Sequence, residues 1–172
     1  MAAQDLTLFK DGAFIADPFR PWAETDDPAS VRYTHVPMAV FLAHREAILA
    51  NPHPLGLLIS PADKVVDVAL DLGRFASIAI SFPAFTDGRG YSSTRMLVER
   101  YGYAGELRAV GDVLADQIPL MWRCGINALV VQHAPTRKAL ETGALATVDI
   151  FYQPAGKTEV PVGTRPFLRR AV

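Results

Sequence analysis

The sequence predicts an α/β protein: a parallel sheet of about four to five strands with flanking helices, entered through an N-terminal β-hairpin and helix. Three observations carry this expectation. Four short apolar runs, LGLLIS, FASIAISF, ELRAVG and ALVVQH, recur between residues 55 and 133, and each is followed by a helix-like stretch. That alternation is the signature of βαβ units, whose crossovers are right-handed. The joints carry turn and helix-start chemistry, as in Asp11-Gly12, Ser60-Pro61 and Asp112. An open three-layer sheet is the first expectation. A partial β/α barrel is the alternative, since 172 residues fall short of the ~250 of a closed eightfold barrel.

Each element has its own warrant. DLTLFKDGAFIADP holds two alternating runs joined by Asp11-Gly12, the favoured dipeptide of a tight hairpin. FRPWAETDDPAS reads as an exposed loop. The stretch from Pro37 to Asn51-Pro52 predicts a helix over 38–50. Ser60, with Pro61 next and Asp63 three after it, predicts a capped helix ending at Gly73, supported by Val65, Val66, Ala69 and Leu70 at helical spacing. A third helix is expected near 92–101. A fourth, over VLADQIPLMWRC, is capped by Asp112 and stops at Gly125. Pro119 inside it predicts a bend or two short helices, because an interior proline costs ~3 kcal/mol. TRKALETGA predicts a helix and TVDIFYQ a last strand. The expected organisation is one domain: a hairpin and loop lead-in over 1–35, an α/β core over 36–152 and a tail over 153–172.

Composition narrows the function classes. Half the residues are apolar, and 17 Lys+Arg against 18 Asp+Glu leave a net charge of -1. This gives no electrostatic case for nucleic acid or an anionic membrane. No run approaches the ~20 apolar residues of a membrane span. The opening residues lack a basic region followed by an apolar run, so no secretory signal and a cytoplasmic location are expected. Cys124, the sole cysteine, cannot make an internal disulfide or a multi-thiolate metal centre. His35, His44 and His53 lack ligand spacing, so no metal site is expected.

In parallel α/β folds, ligands bind where the strands end at their carboxyl side. The segment after FASIAISF is Phe-Pro-Ala-Phe-Thr-Asp-Gly-Arg-Gly-Tyr-Ser, residues 82–92. Gly88 and Gly90 allow close backbone approach, helix-start amides favour an anion, and Arg89 is a planar donor for oxyanions. Thr86, Ser92, Ser93 and Arg95 complete a candidate anion site. Asp87 and Asp112, on neighbouring loops, are candidates for acid–base work, with Tyr91 as hydrogen-bond donor or loop closure. The competing reading is an ordinary turn: Asp87 satisfies its own backbone, Arg89 sits in solvent and Arg95 pairs with Glu99. Asp112 reads first as a helix cap, His133 as an exposed strand end and Cys124 as a packed residue.

The same stretch carries a resemblance. Phe82–Ser92, Glu99–Gly102, Gly105–Leu114, Asp116–Gln117 and Arg123–Gly125 resemble the hallmark motifs of an uncharacterised bacterial family whose members are labelled oxidoreductases of sulfite reduction. Ala84 stands where that family usually has lysine, and Pro119 where it has an aromatic or apolar residue. The resemblance implies an accessory oxidoreductase or small-molecule-binding protein of sulfite reduction, with Gln117 joining the ligand-binding set. Its implied partners are an anionic small molecule and the sulfite reductase haemoprotein; no particular cofactor is implied. The chain itself lacks the cysteines of an iron–sulfur centre and any nicotinamide or flavin fingerprint. A docking module for the haemoprotein, using the Gly-Arg-Gly-Tyr loop, is the alternative.

Overall fold

A computed structural model describes residues 7–145. The hairpin forms where Asp11-Gly12 predicts it, joining β1 (Leu8–Lys10) to β2 (Ala13–Ile15). Both turn residues have positive φ, 51° and 82°, as the hairpin turn that matches strand twist requires. The chain continues through β3 (Arg20–Pro21), β4 (Thr34–Pro37), α1 (Met38–Ala43) and α2 (Arg45–Ala50). Then come β5 (Gly56–Ile59), β6 (Ser77–Phe82), α3 (Arg89–Arg95) and β7 (Glu106–Gly111). The last described elements are α4 (Ile118–Cys124), β8 (Ala128–Val130) and α5 (Ala134–Thr142). The strand expected over TVDIFYQ and the tail lie outside the described residues.

The eight strands of the described residues form one sheet, in the order β2-β1-β8-β7-β6-β5-β4-β3. Strands β3 to β8 are mutually parallel, while β1 is antiparallel to both β2 and β8. This corrects the expected sheet of four to five strands, because the first thirty-seven residues supply four of the strands. It also replaces the open three-layer sheet with the partial-barrel alternative. Strands β4 to β8 follow one another in sequence order. Right-handed crossovers that always step the same way stack their helices on one face.

Chain length dictates the curl. Strands β2 and β3 lie at opposite edges of the sheet, yet only residues 16–19 connect them. Eight flat strands would put these edges about 34 Å apart at ~4.8 Å per strand. The connection spans at most about 18 Å, at ~3.6 Å per residue. The sheet therefore bends into a half-barrel, with residues 16–19 as a strap across it.

The two faces of the sheet differ in chemistry. Val36, Leu57, Ile78, Ile80, Phe82, Leu107, Ala109 and Leu129 alternate along their strands and belong to the continuous buried core beneath the helices. The other face carries His35, Ser77, Glu106, Arg108 and Lys10, linked by hydrogen bonds and ion pairs. Period-two alternation separates these sets.

Several helix boundaries shift for local reasons. The helix expected over 38–50 divides at His44. The Ser60 helix is replaced by a turn and short 3-10 stretches over Val65–Val68 and Leu72–Arg74. The Asp63 carboxylate does accept from the Ser60 backbone N–H at 2.7 Å, but valines at 65, 66 and 68 are poor material for an α-helix. Asp112 caps nothing: α4 begins six residues later at Ile118, so Pro119 lies in its first turn and no interior bend arises. α3 starts at Arg89 rather than Ser92 and continues as a π-helical stretch over Met96–Arg100.

The close approach of α3 to β6 rests on Gly90, where a Cβ would lie 2.7 Å from Phe82 Cε1 and 3.2 Å from Ile80 Cγ2. Gly90→Ala is expected to lower stability by about 1–3 kcal/mol through overpacking, read as a lower denaturant midpoint with an unchanged slope. A midpoint equal to wild type would show that the helix shifts freely.

Candidate functional site

The Thr86–Ser92 segment stands out from the carboxyl end of β6 and turns into α3. Its charged groups are bonded to near neighbours. Arg89 donates from Nε and NH2 to the Asp87 carboxylate at 2.9 and 2.7 Å, and the Arg89 backbone N–H also donates to Asp87 at 3.2 Å. The Arg89 hydrogen bonds hold the Asp87 carboxyl below its usual range, and Asp87 in turn raises the guanidinium. Arg95 pairs with Glu99 at 3.0 Å, one turn along. Each arginine thus has a carboxylate partner within four residues.

The other sequence candidates divide between anchoring and exposed positions. Gly90 is buried against β6, and Tyr91 lies edge-on to Phe82 with ring centroids 5.1 Å apart. Burial, with the Cys124 and Asp116 charges, raises the Tyr91 phenol. Thr86, Gly88 and Ser92 are exposed, while Ser93 is partly so. The backbone N–H of Asp112 donates to the Phe82 carbonyl at 2.7 Å, tying the two loops together by main chain. Gln117 is 9% exposed; its Nε2 lies 3.4 Å from the Phe85 carbonyl, and its buried Oε1 has no partner among the described residues. His133 occupies the cap position of α5, its Nδ1 2.9 Å from Thr136 Oγ1. Among the described residues no three His, Cys, Asp or Glu side chains gather as a metal site, and no helix is long and apolar enough to cross a membrane.

A second concentration of polar groups, not singled out by the sequence, lies on the opposite face of the sheet. Arg108 is 0% exposed. Its NH1 donates to both oxygens of Asp17 at 2.8 Å, and its Nε donates to Glu106 Oε1 at 2.9 Å, with NH2 on the same oxygen. Lys10 reaches Glu106 Oε2 at 2.9 Å. Ser77 donates its hydroxyl proton to Glu106 Oε1 at 2.9 Å, so it accepts from His35 Nε2 at 3.1 Å, and the ring is the neutral Nε2–H tautomer. Phe19 lies 4.9 Å from the His35 ring and 5.2 Å from the Arg108 guanidinium carbon.

The sheet register builds this row. His35, Gly56, Ser77 and Glu106 are partners across four adjacent strands. Gly56 has no side chain, which lets the His35 ring cross β5 to reach Ser77; a Cβ there would collide with the ring. The available signal in the sequence was Glu106-x-Arg108 at strand spacing inside an otherwise apolar run, which puts both charges on one face.

The site and fold together define a curled α/β half-barrel with helices over an apolar face and a buried, charge-paired polar row on the other. Residues 56–163 match the family described as bacterial protein of unknown function (DUF934), and the chain belongs to that family. No curated protein matches it.

Burial and the Arg108 charge push the His35 ring down to about 3, against a smaller opposing effect of Glu106. The ring stays neutral when folded but takes up a proton when unfolded below about 6.5. The unfolded state therefore binds more protons between these values, and stability falls as pH drops through that window. Burial also raises Glu106, yet its bonds from Lys10, Arg108 and Ser77 outweigh this and leave the carboxyl lowered, adding a loss in more acidic solution. Denaturant titrations from pH 7.5 to 5 are expected to show a slope of up to about 1.4 kcal/mol per pH unit, reduced in His35→Gln. Equal slopes in both proteins would contradict a neutral, buried His35.

Proposed function

We propose that this chain is an accessory protein of sulfite reduction, working in the cytoplasm, whose Thr86–Ser92 loop docks on the sulfite reductase haemoprotein. The motif resemblance over Phe82–Gly125 supports the pathway. The observation that supports docking is the presentation of the loop. Phe85, the residue that leads into the loop, is 56% exposed, and the Arg89 side chain is 63% exposed while held by Asp87. Gly90 and Tyr91 root the same loop in β6. An outward aromatic and an outward arginine on a rooted loop are the elements of an interface hot spot, and ordering them on binding costs little.

The second reading is a small-molecule oxidoreductase. Arg89 and Arg95 would hold an anion, Asp87 or Asp112 would handle protons, Tyr91 would donate a hydrogen bond, and the cofactor is unspecified. One observation favours it: the buried Gln117 Oε1 beside the loop, which has no partner among the described residues, an acceptor suited to a donor from outside the chain.

Binding of the purified chain to sulfite reductase haemoprotein, measured by biolayer interferometry, separates these readings. Phe85→Ala and Arg89→Glu are each expected to weaken binding about ten-fold or more with unfolding temperatures near wild type, since both side chains are exposed. A thermal-shift panel of sulfite, sulfate, phosphate and nucleotides on wild type and Arg89→Ala provides the other arm. Absence of haemoprotein binding, with a sulfite shift abolished in Arg89→Ala, would replace docking by the small-molecule reading. At 100 times Kd such a ligand adds roughly 2.7 kcal/mol.

A further inference from the structure

Beneath the strap, the polar face of the sheet opens into a cleft of about 370 Å³, within the range of small-molecule sites. Leu58, Ala79, Val110 and Val130, from four successive strands, form an apolar floor. Phe19 of the strap closes one side. Arg20, Arg108 and Asp17 stand in its walls; Arg20 is held by Asp26 at 2.6 Å, Arg108 is shared between Glu106 and Asp17, and His35 beside them is neutral. Gln132 and Thr7 add polar atoms. An apolar floor beside a buried guanidinium suits an amphipathic acid that can take over one of its carboxylate partners.

The geometry of Arg108 identifies where the acid group would go. Glu106 is fixed in β7, two residues away, and is further bonded to Lys10 and Ser77. Asp17 lies on the strap, outside any strand, with its side chain 17% exposed. It is the exchangeable half of the pair. A third carboxylate added to this guanidinium would leave excess buried negative charge. One that takes the place of Asp17 keeps the charge balance and releases Asp17 to water.

We propose that this cleft binds a small organic anion. Its carboxylate or sulfonate replaces Asp17 on Arg108, and its apolar body lies on Leu58, Ala79, Val110 and Val130. Asp17 is then a built-in competitor for the site, and the strap reports occupancy by loosening. The site lies on the face of the sheet opposite the helices and does not depend on docking by the Thr86–Ser92 loop.

Isothermal titration of the full chain tests this with benzoate and benzenesulfonate. Benzyl alcohol is the control for body without charge, and sulfate for charge without body. Wild type is expected to bind both acids. Asp17→Asn, which withdraws the competitor, is expected to bind them about ten-fold tighter or more. Val110→Trp, which fills the floor, is expected to bind them at least about ten-fold weaker. Arg89→Ala should match wild type, which separates this cleft from the loop. If Asp17→Asn does not fold, Asp17→Ser replaces it, and amide shifts at Ala79 and Val110 locate the ligand. Equal affinity in wild type and the Asp17 variant, indifference to Val110→Trp, binding of benzyl alcohol as tight as benzoate, or no binding of either acid would each overturn the proposal.

Discussion

A single buried guanidinium organises this protein. Arg108 lies in the middle of a six-residue strand, with no exposed surface. A charge in such a place is tolerated only when paired and hydrogen-bonded on several sides. Glu106 comes from its own strand, whereas Asp17 comes from ninety-one residues away in sequence. The bond to Asp17 holds the strap down across the curled sheet, and the strap is the chain segment that joins the two outermost described strands. Curl, strap and buried charge are therefore one constraint. Removing one partner leaves a buried charge uncompensated, which is far more costly than losing a surface ion pair.

The same arrangement divides the molecule by chemistry. The helix-covered face holds the hydrophobic core, whose burial supplies the driving force for folding. The opposite face keeps its polar groups in one continuous chain, from His35 through Ser77 and Glu106 to Arg108 and Asp17. Such chains fix a unique arrangement when fully satisfied. Here Gly56 is what allows it to cross between strands. The Thr86–Ser92 loop is separate from this chain: Tyr91 roots it in β6 on the helix side, while Arg89 and the preceding Phe85 face outward.

Much of the fold was legible because local signals and tertiary structure agree. Asp11-Gly12 specifies its hairpin, and the four apolar runs become β5 to β8. Strand β4 was hidden because Thr34-His35-Val36-Pro37 is short, polar in part and ends in proline; only pairing with β5 makes it a strand. Asp112 carries cap chemistry that the chain does not use, since Pro119 sets the start of α4 further on. For the candidate sites the two faces differ. The loop could be read because its unusual residues are consecutive. The polar row could not, because it assembles from residues 10, 17, 35, 77, 106 and 108, and register rather than sequence spacing brings them together.

The central claim is that Arg108 and Asp17 are coupled as a buried pair. A double-mutant cycle in chemical denaturation, using Asp17→Asn, Arg108→Met and the double variant, measures that coupling directly. A coupling energy of about 2 kcal/mol or more, with Arg108→Met alone costing about 3–5 kcal/mol, is the result expected of a buried clasp. A coupling below about 0.5 kcal/mol, the value of an exposed surface pair, would show that the strap is held by other contacts and would contradict the account.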